Sequence, residues 1–98
     1  MKESAFQAGL IKEIKARWPG CYVLKIDPTN NQGFPDLLIL HKNKWAALEV
    51  KQSEKSSHRP NQDYHIAALC RMSFASFIYP EVKEDVLNQL ELVFLDYN

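Results

Sequence analysis

Between Lys2 and Arg17 the apolar residues fall at Phe6, Leu10, Ile11 and Ile14, with Trp18 beyond, the three- and four-residue spacing of an amphipathic helix. Pro19-Gly20 stops it. The next run, Cys21–Asp27 (CYVLKID), is β-rich, and Pro28–Gly33 (PTNNQG) is turn material, so a strand and a loop are expected. DLLILHK, from Asp36, is a short continuous apolar run of the kind found in strands covered on both faces. Asn43-Lys44 then reverses the chain into WAALEVK, which predicts a hairpin at the centre of a sheet. After a polar loop, Arg59-Pro60 opens a second helix whose buried stripe is Ile66, Leu69 and Cys70. FASFIY reads as a fourth strand. PEVKEDVLNQLE, from Pro80, fits a third helix buried through Val82, Val86, Leu87 and Leu90, and LVFLDYN reads as a terminal strand or arm. The order is α-β-β-β-α-β-α-(β), an α/β fold with one mixed sheet flanked by helices.

A length of 98 residues accommodates one domain, 1–98, and 46% hydrophobic residues with 24% charged ones suit a globular core. Cys21 and Cys70 lie too far apart for a CxxC pair and read as reduced thiols. No stretch reaches the ~18 apolar residues of a membrane span, which points to a cytoplasmic, intracellular protein with no membrane partner. The formal net charge is +0, and taken whole it argues against a nucleic-acid binder. Divided along the chain, the zero is a cancellation. Residues 1–59 carry ten Lys or Arg and six Asp or Glu, net +4, and residues 60–98 carry two and six, net −4.

The candidate chemistry sits at one end of the predicted hairpin. Glu49 and Lys51 point to the same face because side chains alternate along a strand. Pairing through an Asn43-Lys44 turn sets Asp36 opposite Lys51. Two carboxylates at the end of an apolar strand pair repel unless a positive charge lies between them. Either a hard divalent cation such as Mg²⁺ fills that role, or Lys51 does so as a structural salt bridge. Glu3 falls on the apolar stripe of the first helix, and Gln62 shares a face with Ile66 and Leu69 in the second. Buried polar groups need partners, and a metal site would supply them; placement at a helix N-terminus and first-turn capping are the alternatives. Lys55, His58 and Arg59 in the loop KQSEKSSHR, with Lys2, form a rim able to contact phosphate, or else an ordinary solvated loop. His41, His58 and His65 have no spacing suited to tetrahedral zinc.

The residues GFPDLLIL…AALEVK…Q resemble the core motif of the PD-(D/E)xK nuclease superfamily, with the helix carrying Glu3 before them. They look most like a stand-alone VRR-NUC domain, a pattern close to Holliday junction resolvases and small phage endonucleases. The resemblance spans roughly residues 3–80 and implies a restriction-endonuclease-like αβββαβ core. It also implies a Mg²⁺-dependent DNA endonuclease, Mn²⁺ substituting, that cuts branched or otherwise structured DNA as a homodimer and takes no small-molecule substrate. Asp36, Glu49 and the backbone carbonyl of Val50 would hold the metal, Lys51 would be the catalytic lysine, Glu3 would assist the metal or its water, and Gln62 would steady the site. Glu13 is a rival to Glu3, but lies at the flank of the apolar stripe. Met72-Ser73-Phe74 stands where VRR-NUC sequences usually have a glycine. Trp45, Phe94 and Tyr97 are candidates for the dimer interface, or equally for the core. A nuclease-fold protein that binds DNA without cutting it, or a protein adaptor, would have the same element pattern.

Overall fold

The computed structural model describes residues 2–27, 29 and 32–95. Its elements in order are α1 (Glu3–Arg17), β1 (Tyr22–Lys25), β2 (Leu37–His41), β3 (Lys44–Val50), α2 (Pro60–Met72), β4 (Phe74–Ile78), a single 3₁₀ turn at Pro80–Val82, and α3 (Lys83–Phe94). The four strands form one mixed sheet in the order β1-β2-β3-β4, antiparallel as far as β3 and parallel between β3 and β4. The fold is α/β, with the hairpin strands at the centre of the sheet. No helix among the described residues is long and apolar enough to cross a membrane.

Alternation along the strands divides the labour between the two faces. Leu37 and Ile39 of β2, Ala46, Leu48 and Val50 of β3 and Ile78 of β4 share a core with Phe6, Leu10, Ile14 and Trp18 of α1 and with Val86, Leu87, Leu90 and Phe94 of α3. Each fully buried Leu or Ile there contributes about 1.5–3 kcal/mol, so this face carries the apolar burial. The opposite face of β3 presents Ala47, Glu49 and then Lys51, and α2 lies over β3 and β4 on that side. Small residues at Ala47 and Ala75 let the helix approach.

Several expectations are corrected. The β2 run is not covered on both faces: Leu40, with Tyr22 and Leu24 of β1, is exposed on the α2 side. One helix about 10–12 Å across spans roughly two strands spaced ~4.8 Å apart, so α2 leaves the β1-β2 half of that face open. For the same reason α2 has no fully buried residue; Ile66 and Leu69 are half-buried, and Cys70 faces solvent. LVFLDYN is not a strand over its first part, because Leu92–Phe94 continue α3 and place Phe94, four residues after Leu90, edge-on against Trp18 at 5.3 Å. Residues 96–98, including Tyr97, lie outside the described residues, as do Pro28, Asn30 and Asn31 of the predicted turn. Phe94 is core and unavailable to a dimer interface, whereas Trp45 is half-buried.

The hairpin register also differs. His41 pairs with Lys44 across a two-residue turn, Lys42-Asn43, with Lys42 in the left-handed region at φ 58°. The ladder is therefore two residues tighter than a turn at Asn43-Lys44 implies, and Asp36, just beyond the Leu37–Leu48 pair, comes level with Glu49 instead of Lys51. An even slip keeps every side chain on its expected face.

Candidate active site

The end of the β2-β3 hairpin is shaped by Pro35 and Asp36. Pro35 is buried and has no N–H to offer a ladder, so β2 begins only after it. The Val50 N–H donates to Asp36 Oδ2 at 2.9 Å, which fixes that carboxylate beside Glu49. Glu49 is 4% exposed and Lys51 8%, the two buried charged residues among those described. Lys51 Nζ donates to Gln62 Oε1 at 2.8 Å and to the Ser57 carbonyl at 3.1 Å, and lies 3.7 Å from Glu49 Oε2. Gln62 Nε2 donates to Glu49 Oε2 at 3.1 Å, and Gln62 Oε1 also accepts the Arg59 N–H at 3.1 Å. Capping of α2 and steadying of the charged pair are thus done by one amide.

Among the described residues no donor reaches Glu49 Oε1, although the atom is buried. Burial, the neighbouring carboxylates of Asp36 and Glu3, and a hydrogen bond to Asp36 in the protonated form together push the Glu49 carboxyl up to about 7, against the pull of Lys51. Such an atom calls for a proton, a water or a cation. No three of the described His, Cys, Asp and Glu residues converge closely enough to hold a metal through protein ligands alone. Asp36 and Glu49 do fit a cation of the Mg²⁺ kind, which takes one or two carboxylates and keeps several waters.

Two cavities of about 360 Å³ each meet at this point, and Asp36, Glu49, Arg59 and Gln62 line both. Glu3, Lys51, Ser56 and Ser57 complete one; Gly33 and Phe34 stand on the other. The carboxylate pair forms the waist of an open two-lobed cleft. Glu3 faces it from the first turn of α1, at the exposed rim and not buried in the apolar stripe. Glu13 is engaged elsewhere, in an ion pair with Lys83 at 2.8 Å. Lys2 and Lys55 are exposed. His58 turns away: it stacks on Phe77 at 4.0 Å, pairs with Asp63 at 3.1 Å, and lines a separate cavity with Tyr79 and Asp85.

The Ser57 carbonyl belongs to the site without a distinct sequence signal, and Phe34 enters only as part of the GFPD run. Gly33 matters for its backbone. It adopts φ +81°, and a Cβ there would run into the Asn61 side chain, so the loop before Pro35 rests directly on the first turn of α2. Gly33→Ala is expected to destabilise the fold by about 1–3 kcal/mol in chemical denaturation, through left-handed backbone strain and loss of this seat. Unchanged stability would contradict that role. At the end of α2, Ser73 makes the turn by donating its hydroxyl to the Trp45 carbonyl at 2.6 Å while its N–H reaches the Leu69 carbonyl.

No family model matches the chain, and neither a curated protein nor a solved structure matches it.

Proposed function

We propose that this protein is a Mg²⁺-dependent DNA endonuclease of the PD-(D/E)xK, VRR-NUC-like type, acting on branched or otherwise structured DNA. The observation that carries the reading is the buried Glu49 carboxylate beside Asp36, with one oxygen that no donor among the described residues reaches, Lys51 within 3.7 Å, and an open cleft on either side. A purely structural ion pair at a strand end would be expected to satisfy both carboxylate oxygens and to need no cleft. The order α1-β1-β2-β3-α2-β4, matching the αβββαβ core that the sequence motif implies, supports it further.

In this reading Asp36 and Glu49 hold the cation, with the Val50 carbonyl as a further ligand and Glu3 acting through water. A bound divalent cation supplies Lewis acidity to a phosphate oxygen and acidity to a water. Lys51, held by Gln62 and the Ser57 carbonyl, points a fixed ammonium at the reacting phosphate, where negative charge grows in the transition state. Arg59, shared by both lobes, is placed to grip a flanking phosphate, with Lys2 and Lys55 further out. A homodimer would present two such clefts to the arms of a branched substrate.

The test is a panel of labelled DNAs (duplex, nicked duplex, fork, flap and four-way junction) incubated with Mg²⁺ or with chelator, with Asp36→Ala as control. Metal-dependent cleavage lost in Asp36→Ala is the expected result. Cleavage that survives the substitution would sink the site, and none on any substrate would sink the activity in favour of a DNA-binding or adaptor role.

A further inference from the structure

The two lobes of the cleft differ in a way that bears on the substrate. Among the described residues, the lobe bounded by Glu3, Lys51, Ser56 and Ser57 has no aromatic ring in its lining, whereas the opposite lobe is walled by Phe34. From Phe34 a line of rings leads outward over α2. Phe34 lies 5.9 Å from His65 with the planes tilted by 56°, and His65 meets Tyr64 edge-on at 5.5 Å. Tyr64 is 68% exposed, and Phe34 and His65 are half-buried. These rings stand together at the surface, away from the α1 and α3 core.

Aromatic rings outside the core, contiguous with a phosphate-handling cleft, are the stacking platform that unpaired nucleotides use. Every base has a π-face, and only an unpaired base can present it to a protein ring. In a continuous duplex the base faces are already stacked on one another. A lobe of about 360 Å³ lies near the lower end of the ~300–1,000 Å³ typical of small-ligand pockets, a scale suited to a single nucleotide. Resting on the nuclease reading above, we propose that the substrate is a DNA strand unpaired on one side of the cut, its bases stacking in succession on Phe34, His65 and Tyr64. The charged lobe takes the strand on the other side of the scissile phosphate. A fork, flap or frayed branch point offers such a strand, and an uninterrupted duplex does not.

The experiment is fluorescence anisotropy of the full chain, in chelator so that nothing is cut, with a short oligothymidylate and with a blunt duplex of equal length. The single strand is expected to bind more tightly. Tyr64→Ala should weaken its binding by about 5- to 150-fold, leaving duplex binding unchanged, and Tyr64→Trp should retain it. Tyr64 is too exposed for these substitutions to threaten folding; Phe34→Ala is read alongside its melting curve. Equal binding of both DNAs, or a Tyr64→Ala loss that is absent or the same on both, overturns the aromatic track. Mg²⁺-dependent cleavage confined to uninterrupted duplex would overturn it and leave the nuclease standing. Tyr64-dependent strand binding with no cleavage of any DNA would do the reverse.

Discussion

Lys51→Ala is expected to slow Mg²⁺-dependent DNA cleavage by at least about 10²–10³-fold while the binding of uncleaved DNA changes less than about tenfold. The separation follows from where the ammonium lies. Lys51 is 8% exposed, and its Nζ is committed to Gln62 Oε1, the Ser57 carbonyl and Glu49. A cation so deeply set would add little to the surface charge available to phosphates, which on the proposed reading falls to Lys2, Lys55 and Arg59. On that reading, its value is a fixed position where transition-state charge would develop. Lys51→Arg should fail as well, because a planar five-donor fork cannot replace a compact ammonium held between two acceptors. Circular dichroism and melting curves on the variants establish that they fold. A parallel collapse of DNA binding, or a rate within tenfold of the parent, would show that Lys51 is not catalytic.

Glu49→Gln should abolish cleavage and at the same time stabilise the protein at neutral to alkaline pH. The Glu49 carboxyl is pushed from its ordinary 4.5 to about 7, first by burial and then by Asp36. A group with a raised folded-state value holds its proton more tightly in the native state. Its stabilising contribution is complete below about pH 4.5 and is lost as the pH rises through about 7. A difference of this size corresponds to something on the order of 3 kcal/mol, against ~4–8 °C of melting temperature per kcal/mol for a domain this small. Glutamine keeps an acceptor for the Gln62 amide and turns a donor toward the other side, without the charge. The variant should therefore melt higher than the parent at pH 8, by roughly 12–24 °C, and lose the fall in stability between about pH 4.5 and 7. Mg²⁺ at pH 8 should raise the melting temperature of the parent by replacing the missing proton, and leave the variant unmoved. A variant less stable than the parent at pH 8 would mean that Glu49 is held by a fully satisfied structural pair.

The helices and the hairpin were legible in the sequence because their signals are local. The spacing of Phe6, Leu10 and Ile14 defines α1, and the strand parity of Glu49 and Lys51 puts both on one face whatever the register. The register itself was not legible, since it hangs on the left-handed conformation of Lys42, which no propensity favours for a lysine. That two-residue difference exchanges the partner of Asp36 and brings the carboxylates level. Gln62 was legible as an amide on a half-buried stripe, and it both caps α2 and holds Lys51 and Glu49. The stacking of His58 on Phe77 was not legible, because sequence position in a basic loop says nothing about a ring on another element. The extent of α3 was missed because the β-rich composition of LVFLDYN competes with the burial of Phe94, and burial prevails.

The sharing of Gln62 between helix and site has a thermodynamic consequence. The oxygen that accepts the Arg59 N–H, and so closes the first turn of α2, is the same one that holds Lys51. Helix ends fray at little cost, whereas buried ion pairs resist separation. Here the two events are a single equilibrium: opening the first turn would strip a buried ammonium of an acceptor, and misplacing the ammonium would uncap the helix. The start of α2 is therefore expected to be protected beyond what an exposed helix end commands, and the geometry of the cleft is as cooperative as the fold that carries it.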